Sequence, residues 1–428
     1  MPYLKKYIDN FKKEIFSTNF KPWLDLKSIY AHIENDTVPS RKIEEWKFFN
    51  TLALSKTNWS IDDHDKFKSR ELPNAFKLNT LNIKNGFLNI DTDVVNVERG
   101  IKVSNIEDYL QKNPTLKNKI YSSPENYADN KISGKTDNKA TKLMSLNSLF
   151  SKGIVIEIGE NIKITKQLSI KNIIGYTKDN PMFNPYVIIV CKKNSTLNLL
   201  EIFDIEDRTS WVNSFFEVFL EEGSKLDFVR INSSTIKSLK TSSTNFHQDK
   251  NSSLSFIVLN KENAKDDIRV YLNEENARAK INGIIVSSKK QDSNIFCRIE
   301  HNYKNTKSDQ KWKLLSFDRA RTSVYGKIRV EKGAKKTEAN FSSKSLILSD
   351  NASSNSKPEL EILEDDVKCS HGASFGEIDK DKIFFMGSRG IERNEAIKLL
   401  VYAFFEDIEI TEQNKTVLIK KELDKYFI

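Results

Sequence analysis

Cysteine is nearly absent from this sequence: three occur in 428 residues, at positions 191, 297 and 369. A small, odd and widely spaced set builds no disulfide framework. A reducing compartment, by default the cytoplasm, is the expected setting. Long apolar runs are missing too. None approaches the roughly 18 to 20 residues that cross a bilayer, so no membrane role is expected. The opening residues interrupt every apolar stretch with charge and do not read as a secretory signal. Acidic Asp9 and Glu14 argue against a transit peptide. No Walker A motif, glycine-rich phosphate loop or H-E-x-x-H motif occurs, so nucleotide hydrolysis by this chain is not expected. An arginine-rich block and an aromatic–basic platform are also lacking. The net charge of +9 is instead spread along the chain, with 68 Lys+Arg interleaved among 59 Asp+Glu. That distribution does not describe a nucleic-acid surface.

What is present fits a globular protein with room for two or three structural parts: 38% hydrophobic and 30% charged residues. Residues 1–35 carry a helical stripe through Tyr3, Leu4, Tyr7, Ile8, Phe11, Ile15 and Phe16, interrupted at Pro22. Trp46 and Phe48 read as core. Between 72 and 120, apolar runs (78–88, 94–97, 101–103) precede a helical pattern near 106–116. Residues 122–142 are rich in Ser, Asn, Asp, Lys and Gly, which predicts a loop. From Gly153 the texture changes to short β-rich runs. A weak repeat runs through them: Asn194-Ser-Thr-Leu-Asn-Leu, Gly223-Ser-Lys-Leu-Asp-Phe, Asn251-Ser-Ser-Leu-Ser-Phe and Asn276-Ala-Arg-Ala-Lys-Ile. Copies every 25 to 30 residues or so suggest stacked rungs that bury their apolar sides on one another. A parallel β-helix is the favoured core, with a β-sandwich as the alternative. Helices return near the end: Asp379 can cap one and Gly390 close it. A longer helix follows from Glu392 to Ile408, then an amphipathic piece after Thr411. The expected division is 1–150 helical or mixed, 151–375 β-helix core and 376–428 helical.

One stretch carries chemistry. If Val367 to His371 is extended, Cys369 and His371 share a face, about 7 Å apart along the strand. A thiolate beside an imidazole suits a soft metal or a cluster iron whose other ligands come from elsewhere. A buried thiol next to a hydrogen-bonded histidine, or a Cys/His nucleophile pair, would leave the same pattern. Cys191 and Cys297 read as structural, and His301 as part of a polar ladder.

Pro358-Glu-Leu-Glu-Ile, Asp365-Asp-Val-Lys-Cys-Ser-His-Gly-Ala and Phe384-Phe-Met-Gly-Ser-Arg-Gly-Ile resemble, in that order, the signature of the SufB/SufD family. These proteins are scaffold subunits of an iron–sulfur cluster assembly system. The Lys-Cys-Ser-His form is most similar to the SufD branch. Pro39-Ser-Arg-Lys-Ile-Glu-Glu-Trp-Lys-Phe resembles the family's N-terminal element, with Phe48 where tyrosine is usual. Asn340 stands where the family would have glutamine. The resemblance implies a right-handed parallel β-helix. It also implies a SufB-like subunit paired through the β-helices, a possible homodimer in isolation, and a SufC-like ABC ATPase docked on the C-terminal helices. His371 and Cys369 would then contribute iron or cluster ligands at the SufB interface. The iron or cluster would be transient and shared, with no group held tightly by the isolated chain. Arg389, Ile397, Leu400, Val401 and Phe404 would be candidates for the ATPase contact. A β-solenoid that binds or cleaves acidic polysaccharide is the competing reading, permitted by the fold.

Overall fold

The computed structural model describes residues 41–61, 79–95, 97–117, 119–120, 142–164, 166–175, 179–205, 207–233, 237–261, 263–408, 420–421 and 423–426. The helices expected in residues 1–35 and nearly all of the loop expected over 122–142 lie outside these. So does most of the helix expected after Thr411.

Short elements lead in. They are a 3-10 turn (Glu44–Trp46), α1 (Leu52–Lys56), β1 (Ser60–Ile61), β2 (Thr80–Lys84), α2 (Ile90–Asp93), β3 (Val94–Val95), β4 (Ile101–Asn105), α3 (Ile106–Lys112), α4 (Pro114–Lys117) and α5 (Lys142–Phe150). The winding continues through β5 (Ile154–Ile158), β6 (Leu168–Ile174), β7 (Pro181–Phe183), β8 (Tyr186–Cys191), β9 (Thr196–Ile205), β10 (Trp211–Leu220), β11 (Lys225–Ser233) and β12 (Leu239–Gln248). It is completed by β13 (Ser253–Lys261), β14 (Ala264–Leu272), β15 (Arg278–Ser287), β16 (Asp292–His301), β17 (Lys307–Ser316), β18 (Arg321–Val330), β19 (Thr337–Ile347), β20 (Ser353–Ile362) and β21 (Val367–Glu377). Helices α6 (Lys380–Gly387) and α7 (Arg393–Phe405) follow.

The strands form a parallel β-solenoid of about seven turns. One sheet runs β20-β18-β16-β14-β12-β10-β8-β5-β4 and the other β21-β19-β17-β15-β13-β11-β9-β6-β2-β3. From β8 onward, successive strands alternate between the two sheets. β2 and β4, from before residue 150, belong to the same two sheets. The antiparallel pairs β2–β3 and β4–β5 finish the N-terminal end. At the other end, β20 and β21 are edge strands.

Rungs stack in register, Leu199 on Phe228 and Phe228 on Phe256, so like side chains form continuous inward columns. Cys191 and Cys297 are fully buried in this core, as expected. The corners explain the repeat. Asn194, Gly223, Asn251 and Asn276 all have left-handed φ, between +56° and +68°, the region Gly and Asn tolerate. The small residue after each (Ser195, Ser224, Ser252, Ala277) is wholly buried. At Gly223 a Cβ would lie 2.3 Å from Asn194 Oδ1, so the corner needs glycine there twice over.

The outer face of the second sheet is apolar. Leu200, Val229, Ile257 and Ile284 are covered by Val401 and Phe405 of α7 and by Leu423. The outer face of the first sheet packs under α3 and α5, and Trp46 is buried in that layer.

The solenoid interior also holds polar groups, and the most highly charged gathers around Arg230. Arg230 bonds Glu201 at 2.5 Å, lies 3.8 Å from Asp266 and sits 4.5 Å from the centre of the Phe216 ring. Asn172 donates to Glu201 at 2.8 Å and Asn232 to Asp266 at 2.6 Å. Lys240 donates to Asn232 and Ser242. Burial pushes the Lys240 ammonium down to about 7 and raises the Asp266 carboxyl.

Candidate functional site at the open end

Cys369 and His371 lie on β21, the last strand of its sheet, on the inward face. Cys369 stands in register with Ala339, and His371 with Phe341. The extended conformation expected for Val367–His371 is present. One rung earlier these inward positions are closed off, since Ala339 and Phe341 are buried. On β21 they are not, because no rung follows among the described residues. His371 is exposed, and Cys369 is half-buried against the end of the core.

The surroundings separate the two groups. Burial raises the Cys369 thiol, partly offset by the backbone N–H of Ala339. A raised thiol is the opposite of an activated nucleophile. No orienting acid bonds His371 among the described residues, so the arrangement lacks the parts of a Cys/His hydrolase. As a thiolate, Cys369 would be a soft ligand beside an accessible imidazole. Those are two donors, not four. Among the described residues no three His, Cys, Asp or Glu side chains lie close enough to hold a metal. The acids Glu364, Asp365 and Asp366 build the preceding turn instead. Glu364 accepts from the backbone N–H of Gly333 at 2.8 Å, which holds its carboxyl below the usual range.

On the outward side Ser370 donates to Asn340 at 2.7 Å, and Asn340 to Asp309 at 2.8 Å. This ladder ties the last rungs together, and asparagine is long enough to make it. His301 is structural, as read from the sequence. It is enclosed, with Nδ1 2.8 Å from Thr306 Oγ1 and Nε2 2.8 Å from Ser308 Oγ. Burial pushes it down to about 3, against about 6.5 in an unfolded chain. Below pH 6.5 the unfolded chain then binds a proton that the folded one refuses, so the His301 contribution is complete above pH 6.5 and lost as pH falls. We expect it to cost about 1.4 kcal/mol of stability per pH unit between 6.5 and 4. Urea titrations at several pH values should show this slope, and His301→Gln should remove that share of it.

The C-terminal candidates divide. Val401 is fully buried on the outer face of the second sheet, and Ile397 and Phe404 pack on the same cluster. Phe404 also lies under Lys313, 4.6 Å from its ring centre. Val401 thus covers its own core, and Ile397 and Phe404 are partly buried against it. Leu400 is half-exposed. Arg389 is exposed and stacks 3.8 Å over the Phe385 ring. Phe384, 79% exposed, and Phe385 project from α6, which the expected Asp379 cap starts by accepting from Asp381 and Lys382. Sequence periodicity located the helices but could not say which stripe faced inward.

Fold and site define a parallel β-solenoid whose last strand among the described residues carries an exposed imidazole beside a half-buried thiol on its inward face. Residues 174–404 match the family model described as "SUF system FeS cluster assembly, SufBD core domain". The chain belongs to this family of iron–sulfur cluster assembly proteins. It is 36% identical over 152 residues to the "Iron-sulfur cluster assembly protein SufD" of Escherichia coli, a match covering 36% of each chain. It is 26% identical over 238 residues to a SufBD family protein of Synechocystis, covering 53% of this chain and 52% of that one. It is also 24% identical over 383 residues to the chloroplastic protein ABCI7 of Arabidopsis thaliana, covering 86% of this chain and 78% of that one. The matches thus span about a third of the E. coli protein and half of the Synechocystis one. No helix among the described residues is long and apolar enough to cross a membrane.

Proposed function

We propose that this chain is a SufD-like scaffold subunit of a SufBCD-type complex that assembles iron–sulfur clusters. The observation that carries the reading is the open end, where a soft donor pair lies on an edge strand. A half-site is useful only if a second surface completes it. A SufB-like subunit set against β20 and β21 would supply the missing ligands. The iron or cluster is then cargo held between two subunits, with His371 the accessible ligand from this side and Cys369 the deeper one. ATP hydrolysis belongs to a SufC-like partner, and the chain itself is non-catalytic. The exposed surface of α6, with Phe384, Phe385 and Arg389, is the seat we assign to that ATPase. An apolar pair exposed beside a cation is the kind of patch a partner covers.

An anaerobic pull-down with mass spectrometry tests this. We expect a SufB-like chain and an ABC-type ATPase to be recovered. Phe384→Ser with Phe385→Ser should lose the ATPase and keep the SufB-like chain. A monomer that brings down neither would overturn the scaffold reading.

A further inference from the structure

Three rings stack on the outer face of the first sheet. Phe219, His247 and Tyr271 stand in register on β10, β12 and β14. Their centres are 4.9 and 5.1 Å apart, and both pairs lie 10° from parallel. That spacing is close to the rung spacing of about 4.8 Å, so each ring lies flat on the next. Towards the N-terminal end the column stops. The residue in register with Phe219 on β8 is Val190, whose side chain is too small to continue the stack.

Helices α3 and α4 pass over this step. Tyr109 of α3 is fastened beside it, its hydroxyl donating to Glu157, which stands in register with Val190 on β5. Leu116 of α4 and Lys119 follow. Between this segment and the sheet is a cavity of about 360 Å³ lined by Val190, Phe219 and His247, within the roughly 300 to 1,000 Å³ of small-molecule sites. Along the solenoid corner its wall is polar. Lys192, Glu221 and Asp249 succeed one another there on consecutive turns of the first sheet, and Lys192 bonds Glu221 at 3.0 Å. With Lys119 the lining holds two cations and two carboxylates, so it offers hydrogen bonds without net charge. Burial holds the His247 imidazole down to about 4, so at neutral pH it carries one donor and one acceptor nitrogen. Its Nε2 is shut off from solvent and has no hydrogen-bond partner among the described residues. An unpaired buried polar atom in the wall of a cavity marks a bond that a ligand can restore.

We propose that this cavity binds a neutral, flat heteroaromatic molecule of nucleoside size, its ring stacked on Phe219 above Val190 as the fourth member of the column. The remainder of the molecule runs along the solenoid axis towards His247 and Lys119, two rungs or about 10 Å away. Its polar edge meets the Lys192–Glu221 pair. A phosphate gains nothing here, because Glu221 and Asp249 would face it with like charge. The cavity lies against β8, β10 and β12, well separated in the sheet from the edge strand β20. It is therefore a site apart from the donor pair on β21.

Titration calorimetry of the full chain with adenosine, guanosine, cytidine and uridine tests this, and needs none of the scaffold partners. At least one nucleoside, a purine before a pyrimidine, should bind with a Kd of about 1 mM or tighter. Adenosine monophosphate should bind no more tightly than adenosine. Val190→Phe supplies the missing ring from the chain itself. It should melt no lower than wild type, because it fills a cavity, and should weaken nucleoside binding about tenfold or more. Absence of saturable binding by all four nucleosides would overturn the proposal, as would undiminished binding to a folded Val190→Phe chain. A monophosphate that binds about tenfold more tightly than its nucleoside would overturn the neutral class of ligand. If Val190→Phe does not fold, Leu116→Trp fills the same space from the helical side, and undiminished binding to it would count equally against the site.

Discussion

Glu201→Leu should destabilise the solenoid by about 3–5 kcal/mol, the usual cost of stranding one member of a buried ion pair. The Glu201 and Arg230 side chains are 0% and 1% exposed, and their bond is 2.5 Å. Arginine does not release its proton in proteins, so after the substitution Arg230 stays charged inside the core. Asp266 is its remaining carboxylate at 3.8 Å, and burial already favours the neutral form of that acid. The Phe216, Phe228 and Phe256 rings surround the guanidinium at 4.5 to 5.5 Å, but quadrupole attraction does not replace a carboxylate. The double variant Glu201→Leu with Arg230→Met removes both charges and keeps comparable volume, and it should recover most of the loss. Urea unfolding of the single and double variants decides the matter. If the double variant is no more stable than Glu201→Leu, the cost lies in packing rather than in the stranded charge.

Such a pair could not be read from the sequence. Glu201 and Arg230 are 29 residues apart, and Asp266 lies on the opposite sheet. Each follows a local alternation that is equally consistent with facing out. Only the register, Arg230 on Glu201, brings them together. The corners are the contrary case. Asn194, Gly223, Asn251 and Asn276 announce themselves because a left-handed φ restricts residue type wherever the rest of the chain lies. A local constraint leaves a local trace; a contact between rungs does not.

The C-terminal helices lie between these cases. Their apolar stripe was legible, but Val401 joins the buried cluster of Leu200, Val229 and Ile257 only because α7 folds back over strands some 150 to 200 residues earlier. The candidate site was half legible as well. Strand and donor pair could be read from Val367 to His371. That β21 is the last strand among the described residues, with none of them stacked on its inward face, follows from a count of rungs, and no residue in that stretch records it.

His371→Ala is expected to lower cluster assembly by about tenfold or more while leaving stability within about 0.5 kcal/mol of wild type. The two halves of that expectation have separate physical grounds. His371 is exposed and makes no hydrogen bond among the described residues, so its removal opens no cavity and strands no partner. Its neighbour is different. Cys369 packs against the end of the core, and Cys369→Ala should combine a measurable stability loss with any loss of assembly. Comparing the two separates ligation from packing, since a scaffold weakened only by loosening of its last rung would respond more to Cys369 than to His371. Anaerobic reconstitution with the SufB-like and ATPase subunits, followed by cluster absorbance and iron content, supplies the readout. A His371→Ala chain that assembles clusters at the wild-type level, with melting and partner recovery unchanged, would remove the imidazole from the site and leave the thiol as the only donor this end provides.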